Sequence, residues 1–445
     1  MLPATGEPFA NRQNQLKSRK SQKTYERRII TRSQCRASQS FFEGLPSEVF
    51  DLILDYLTVV DISIFSMASK AISNCIVSHV STLSWKNKIV LWKFHLCSSA
   101  KDELSAFSHY RSLGLLFKRC TLLLPTKDRL KFMSSRLSQV TCFTLDQCTS
   151  TSGCLGFACY GTLLQTLIAG WDELECHRVF NFLCEITNLT RKIETAVTSK
   201  PGSSPHLEQQ IRCFCRSVLL DPWQSRQDSL FWLTCILKPW PMVSQARLLF
   251  ILYGPLQSDG KVGWQEVCGG AVAQCRLWDL AKAITLLYGK ADAKEWTSDT
   301  VLGIVDEMAV LPAPWYLENM ARLLILCGNN ICYSVLASRA INGRLFDISQ
   351  LFVFIILVSE KDGYCMSWSV KMMQQLCNVF PGASDKWLFL QSMENMLSEV
   401  SMEMYELIMS GNRNENQETF QNLCSLLNAC AHFHTEILYM FLKQS

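Results

Sequence analysis

The chain has 445 residues, 48% of them hydrophobic and 18% charged, a composition that can bury a sizeable core and excludes a wholly disordered or fibrous protein. The net charge is +4, yet residues 1–40 alone hold nine Lys/Arg against two acidic residues, so the remainder is slightly acidic and does not read as a nucleic-acid binder. None of the 21 cysteines sits at C-x-x-C spacing and the N-terminus lacks the apolar run of a secretory signal, so the thiols read as reduced, buried small hydrophobes of a protein of the nucleus and/or cytoplasm.

Residues 1–40 are polar, basic and aperiodic, and are expected to form a disordered tail. Within them "KSRKSQKTYERR" (17–28) is a candidate nuclear import signal or weak phosphate-binding arm, although such basic clusters are common by chance.

The next stretch, "LPSEVFDLILDYLTVVDISIFSMASK" (45–70), reads as two short helices. Pro46 suits a first helical turn, where its missing N–H costs nothing, and Glu48 complements the positive end of the helix dipole. Val49, Leu52, Ile53, Tyr56 and Leu57 recur at i, i+3, i+4, i+7 and i+8, one apolar stripe. Asp61 is expected to cap the second helix, whose apolar face opens with Ile62, Phe65 and Met67-Ala68. "AISNCIVSHV" (71–80) supplies a third helix, and Leu83 and Trp85 close the unit. Three short helices in ~45 residues bury too little surface to be comfortably stable alone. Phe50, Leu54 and Ile64 lie off the main stripes. The surplus apolar surface needs a partner, either the rest of the chain or another protein.

From residue 91 onward the chain reads as helix after helix, starting with "SAFSHYRSLGLLFKRCTLLL" (105–124) and "TLLQTLIAGWDELECHRVFNFLCEITNLTRKIETAV" (162–197). Turn-rich breaks separate the blocks, the clearest being "TSKPGSSPH" (198–206), an internal break in the body. The best extended candidate is "QVTCFTLDQCTST" (139–151). The expected fold is all-α: a basic tail over 1–40, a three-helix unit over 41–90, and a multi-helix body over 91–445. The antiparallel succession is compatible with a solenoid-type array, although no fixed repeat period is found. The apolar run "LFVFIILV" (351–358) falls far short of the ~20 residues that span a bilayer.

Catalytic signatures are missing. No phosphate-cradling loop, nucleophile elbow, zincin helix or dinucleotide fingerprint is present. In "CAHFH" (430–434), Cys430, His432 and His434 lack the second ligand pair that zinc requires. In "ELECH" (173–177), Cys176 and His177 are sequence neighbours, whereas catalytic pairs normally meet through the fold. The four cysteines of "CFTLDQCTSTSGCLGFAC" (142–159) match neither a zinc knuckle nor a redox dithiol. No metal, cofactor or catalytic residue is expected.

The 45–70 stretch and its continuation to Trp85 resemble an F-box. The matching positions are Leu45-Pro46, Glu48, Val49, Ile53, Leu57, Asp61-Ile62, Met67, Ser69-Lys70 and Trp85. Departures are Ala68, where the family more often has valine, and Ile76-Val77, near a position where many members carry tryptophan. Further stretches at 109–131, 170–189 and 236–249 resemble the body of one member of that family. The resemblance implies a Skp adaptor as partner and, through it, a cullin-RING ligase, with the body holding an unknown protein substrate. It implies adaptor-binding roles for Leu45, Pro46, Val49, Ile53, Leu57, Ile62 and Met67. The function so implied is the substrate-recognition subunit of a Skp/cullin/F-box-type ubiquitin ligase, non-catalytic itself. The alternative is an F-box scaffold acting without cullin-dependent turnover.

Overall fold

The computed structural model describes residues 41–90, 94, 100–138, 140–143, 154–288, 296–410 and 416–444; the tail expected over 1–40 lies outside them. The chain divides into two units at Phe50/Asp51. In the first, a 3-10 turn at Phe41–Gly44 leads into helix α1, Ser47–Tyr56.

In the second unit α1 is followed by α2 (Val59–Phe65), α3 (Lys70–His79) and the single turn α4 (Leu83–Trp85). Then come α5 (Ala100–Cys120), α6 (Thr126–Leu137), α7 (Gly156–Ile168), α8 (Glu173–Thr187), α9 (Leu189–Thr198) and α10 (Pro205–Phe214). The array continues with α11 (Arg226–Leu237), α12 (Met242–Tyr253), α13 (Glu266–Gly269), α14 (Gln274–Leu287), α15 (Ser298–Met308) and α16 (Leu317–Cys327). It ends with α17 (Asn329–Ile341), α18 (Leu345–Lys361), α19 (Met366–Cys377), α20 (Ala383–Ser410) and α21 (Asn416–Gln444). Among the described residues there is no strand, only an isolated bridge between Leu256 and Val262. The extended candidate at 139–151 is corrected: Thr141–Phe143 is a 3-10 turn whose Cys142 and Phe143 are buried, and residues 144–151 lie outside the described set.

The helix starts follow local chemistry. The α2 cap is Thr58, not Asp61: the Thr58 hydroxyl accepts from the Asp61 N–H at 3.2 Å, and the Asp61 carboxylate accepts from the Thr58 N–H at 3.3 Å. Asp61 is thus the far end of a capping box, which satisfies two otherwise unpaired donors. Ser69 caps α3 and Asp172 caps α8. The loop 199–204 ends as Pro205 opens α10, where a missing N–H is tolerated.

The body stacks in two layers. Helices α10, α12, α14, α16, α18 and α20 each pack on the next, and α15, α17, α19 and α21 do the same alongside. α16 and α18 are enclosed: Leu323, Leu324, Leu351, Phe352, Ile355 and Ile356 are fully buried. A helix apolar all round must be covered all round, and here α14, α17, α20 and α21 cover them. Within α16 the buried Arg322 pairs with Glu318 at 2.7 Å and with Asp362 at 2.8 Å, so the charge entering the core is matched.

Nearer the N-terminus α2 and α3 pack on α5, α5 on α7, and α6 on α8. Gly114 permits the close α5–α7 crossing, because a Cβ there would stand 2.8 Å from the Leu163 carbonyl oxygen. Beside this crossing Phe143 stacks with Tyr160 and meets Tyr110 edge-on, and the Tyr110 hydroxyl donates to the Val90 carbonyl at 2.6 Å. No helix among the described residues is long and apolar enough to cross a membrane.

Candidate functional site

Residues 41–50 present the start of the F-box-like segment. Leu45 is half-buried and Pro46 is exposed. The Pro46 carbonyl accepts from the Val49 and Phe50 N–H groups at 3.1 Å each, so proline opens the helix. Val49 is 41% exposed, whereas Phe50 is buried.

In residues 51–90 the core side is made by Leu54, Val59, Ile62, Ile72, Ile76, Val80 and Trp85, each less than a tenth exposed. The residues that lie off the helical stripe in the sequence, Phe50 and Leu54, are the buried ones on α1. The stripe itself faces out, with Leu52 57% and Tyr56 89% exposed and Ile53 and Leu57 half-buried. Periodicity finds two apolar faces on one helix but does not rank them; burial does. On α2, Val60 and Ile64 are exposed, as are Met67 and Leu83 beyond it.

The helices are held in place by polar ties. The His79 ring on α3 reaches Asp51 at 2.8 Å and Asp55 at 3.7 Å on α1. The Lys88 ammonium donates to the Asp55 carbonyl at 3.0 Å. Arg119 of α5 donates to the Ser63 hydroxyl of α2 at 2.7 Å, and Arg136 of α6 donates to Ser81. The half-buried Arg136 also stacks on Phe132. Burial holds the Arg136 guanidinium below its usual range and, beside it, pushes the Cys120 thiol up to about 11.

Of the sequence-derived adaptor residues, then, Pro46, Val49 and Met67 are exposed, Leu45, Ile53 and Leu57 are half-buried, and Ile62 is 1% exposed. Leu52, Tyr56, Val60 and Ile64 are exposed apolar residues outside that set. Leu52 and Tyr56 share the stripe with Val49, which was the available signal; Val60 has none in the sequence.

The other constellations resolve into structural roles. His177 does not act with its neighbour Cys176 but faces Cys235, with Nδ1 3.5 Å from Sγ. His432 pairs with Glu360 at 2.9 Å, and the His434 ring meets the Cys430 carbonyl. Of the four cysteines over 142–159, Cys142 and Cys159 are buried, Cys154 is half-buried, and Cys148 lies outside the described residues. Among the described residues no group of His, Cys, Asp or Glu could hold a metal ion.

An exposed apolar surface on capped helices, tied to an all-helical stack, is the arrangement that comparison with known proteins can assign. A family model described as "FBXO47, ARM repeats" matches residues 185–444. F-box only protein 47 of Homo sapiens is 54% identical over 402 residues, covering 90% of this chain and 89% of that protein. F-box only protein 47 of Mus musculus is 53% identical over the same shares. The chain belongs to the F-box only protein 47 family. It is an F-box protein with an all-α, ARM-repeat body, and the family match begins within α8. No solved structure matches.

Proposed function

We propose that the chain is the substrate-recognition subunit of a Skp/cullin/F-box-type ubiquitin ligase. In this reading residues 41–90 are the adaptor-binding module and 91–445 the body that holds a protein target, acting in the nucleus and/or cytoplasm. The subunit supplies no catalytic group. It works by proximity, raising the effective concentration of a substrate lysine near the ubiquitin donor.

The observation that carries the reading is the exposure of Leu52, Tyr56, Val60, Ile64 and Met67 on and just beyond α1 and α2, helices whose Leu54, Val59 and Ile62 are buried. Apolar side chains at the centre of an interface carry most of its energy, whereas left in water they are a liability. The adaptor contacts are assigned to Leu45, Pro46, Val49, Ile53, Leu57 and Met67; Ile62, expected among them from the sequence, is 1% exposed and serves the core instead.

The experiment is co-purification of the adaptor with the Leu45→Ala/Pro46→Ala double variant. Loss of adaptor from a folded chain is expected, and unchanged recovery overturns the assignment. Blocking cullin activation then separates receptor from scaffold, because only a receptor's targets accumulate.

A further inference from the structure

A cleft of about 1160 Å³ opens in the body between α5, α7, α8 and α11. None of its lining residues belongs to α1–α3. One wall is an aromatic strip. The His177 ring meets Phe231 edge-on at 4.9 Å, Phe231 meets Trp232 at 5.0 Å, and Trp232 stacks with Trp223 at 5.7 Å. Phe231 and Trp223 are only partly covered.

Carboxylates flank this strip. Glu173 lies one turn before His177 on α8, and Asp228 lies three residues before Phe231 on α11, so each shares a helix face with an aromatic ring. Both approach one thiol: burial, then Asp228, Glu175, Asp172 and Glu173 in turn, push the half-buried Cys176 up to about 11. Two of these four acids are engaged. Asp172 caps α8, and Glu175 accepts from the Thr126 hydroxyl at 2.8 Å. Glu173 and Asp228 have no hydrogen bond or ion pair among the described residues, although they line the cleft.

The facing wall, on α5, carries Arg111 and Lys118. Lys118 is taken by the Ala169 carbonyl, and the Arg111 guanidinium disfavours a second cation on that side. The cleft therefore carries charge on both walls, with its uncommitted negative charge on the aromatic side. Cation on aromatic face is already the local chemistry: Arg129 stacks on Trp171 at 5.2 Å and Lys238 on Trp296 at 4.6 Å, both rings of the cleft lining.

We infer that this cleft is the substrate site of the body, taking an extended peptide segment whose Lys or Arg side chain lies over Phe231 and Trp223 between Glu173 and Asp228. The inference rests on the receptor role proposed above. A cation over an aromatic face gains from the ring quadrupole, and more when carboxylates stand beside it in a partly dry site. The residues after the basic tail are slightly acidic, so a local site is told from unspecific attraction by loss of binding on removing Glu173 and Asp228 but not an acid elsewhere on the body.

The test pans a random dodecapeptide display library on the full chain in complex with its adaptor. Enriched peptides are expected to carry Lys or Arg beside an apolar residue. They should lose at least tenfold in affinity for Glu173→Gln/Asp228→Asn, lose several-fold for Phe231→Leu, and be unaffected by Glu403→Gln on the exposed face of α20. Enrichment of acidic peptides, no enrichment, or equal binding to the Glu173→Gln/Asp228→Asn chain overturns the inference. Adaptor recovery is measured on the same samples. Adaptor retained without basic-peptide binding defeats the cleft alone, whereas loss of the adaptor from the unmutated chain defeats the receptor reading.

Discussion

The His79 Nδ1 atom lies 2.8 Å from Asp51 Oδ1, joining α3 to α1 across 28 residues of sequence. His79 is 4% exposed, and its other ring nitrogen points to Asp55 at 3.7 Å. This imidazole orients the helix that carries Leu52 and Tyr56. Replacing His79 by alanine leaves a void and strips Asp51 of its partner, at a cost of ~1–3 kcal/mol. Hydrogen exchange should speed up in α1–α3 while α16 and α18 keep their protection; uniform loss of protection would rule out a local role.

Exposure separates binding from folding among the adaptor residues. Met67 is 60% exposed, so Met67→Ala should leave the melting temperature unchanged, exposed sites typically shifting stability by no more than about 0.5 kcal/mol. It should weaken adaptor binding by ~1–3 kcal/mol if it anchors the interface. Ile62 is 1% exposed, and Ile62→Ala should cost about 2–5 kcal/mol of stability through the cavity it leaves. Calorimetry of each variant alone and with the adaptor distinguishes the two effects.

The Arg322–Glu318–Asp362 cluster is the main polar commitment of the enclosed α16. Arg322→Ala leaves Glu318, which is 3% exposed, with Lys361 alone at 3.2 Å and takes the arginine from Asp362, and breaking a buried pair typically costs ~3–5 kcal/mol. The double variant Arg322→Leu/Glu318→Leu should recover much of that loss. Denaturant midpoints of the singles and the double measure the coupling, and simple additivity would show that the cluster does not act as a unit.

Glu208 gives a pH signature. Burial raises its pKa above the usual carboxylate range, against the opposing bonds from the Trp264 indole N–H and the Gly202 N–H, both at 2.9 Å. A carboxyl whose folded pKa is raised binds its proton more tightly when folded. Its contribution is therefore full below the unfolded pKa and is lost as pH rises through the folded value. Glu208→Gln should remove that loss, so the variant should gain stability relative to the parent between pH 4 and pH 7. A pH-independent difference would contradict the assignment.

The thiols should divide by environment. Cys365 is exposed, and its bond to the Ser367 hydroxyl lowers its pKa. Burial drives Cys215 and Cys332 far up. Iodoacetamide at neutral pH should label Cys365 early and spare Cys215 and Cys332 until the chain unfolds, as mapped by peptide mass; early labelling of Cys332 would show that α17 opens readily.

The helices were legible because each is written in local terms. Thr58 and Asp61, Ser69 and Asp172 stand within three residues of the donors they satisfy and Pro205 opens α10, although Asp61, read as the α2 cap, is the far end of its capping box; the 3.6-residue apolar period needs only the segment itself. The F-box likeness was legible for the same reason, since its positions fall within one short stretch. The two-layer stack was not. α16 and α18 need enough apolar volume to fill the space between neighbours, and many different sequences supply it, so no fixed repeat betrays the array.

Position in space decided the rest. Two apolar faces of α1 look alike in one dimension, and only the fold buries Leu54 and leaves Leu52 and Tyr56 exposed. His177 stands beside Cys176 in sequence yet turns to Cys235, 58 residues on, because α8 and α11 meet only in the folded body. That Glu173 and Asp228 line one cleft is likewise a product of packing. Local sequence sets which segments are helical, since backbone hydrogen bonds and caps act over a few residues. Which side chains are left for a partner is set by long-range contacts that no short segment contains.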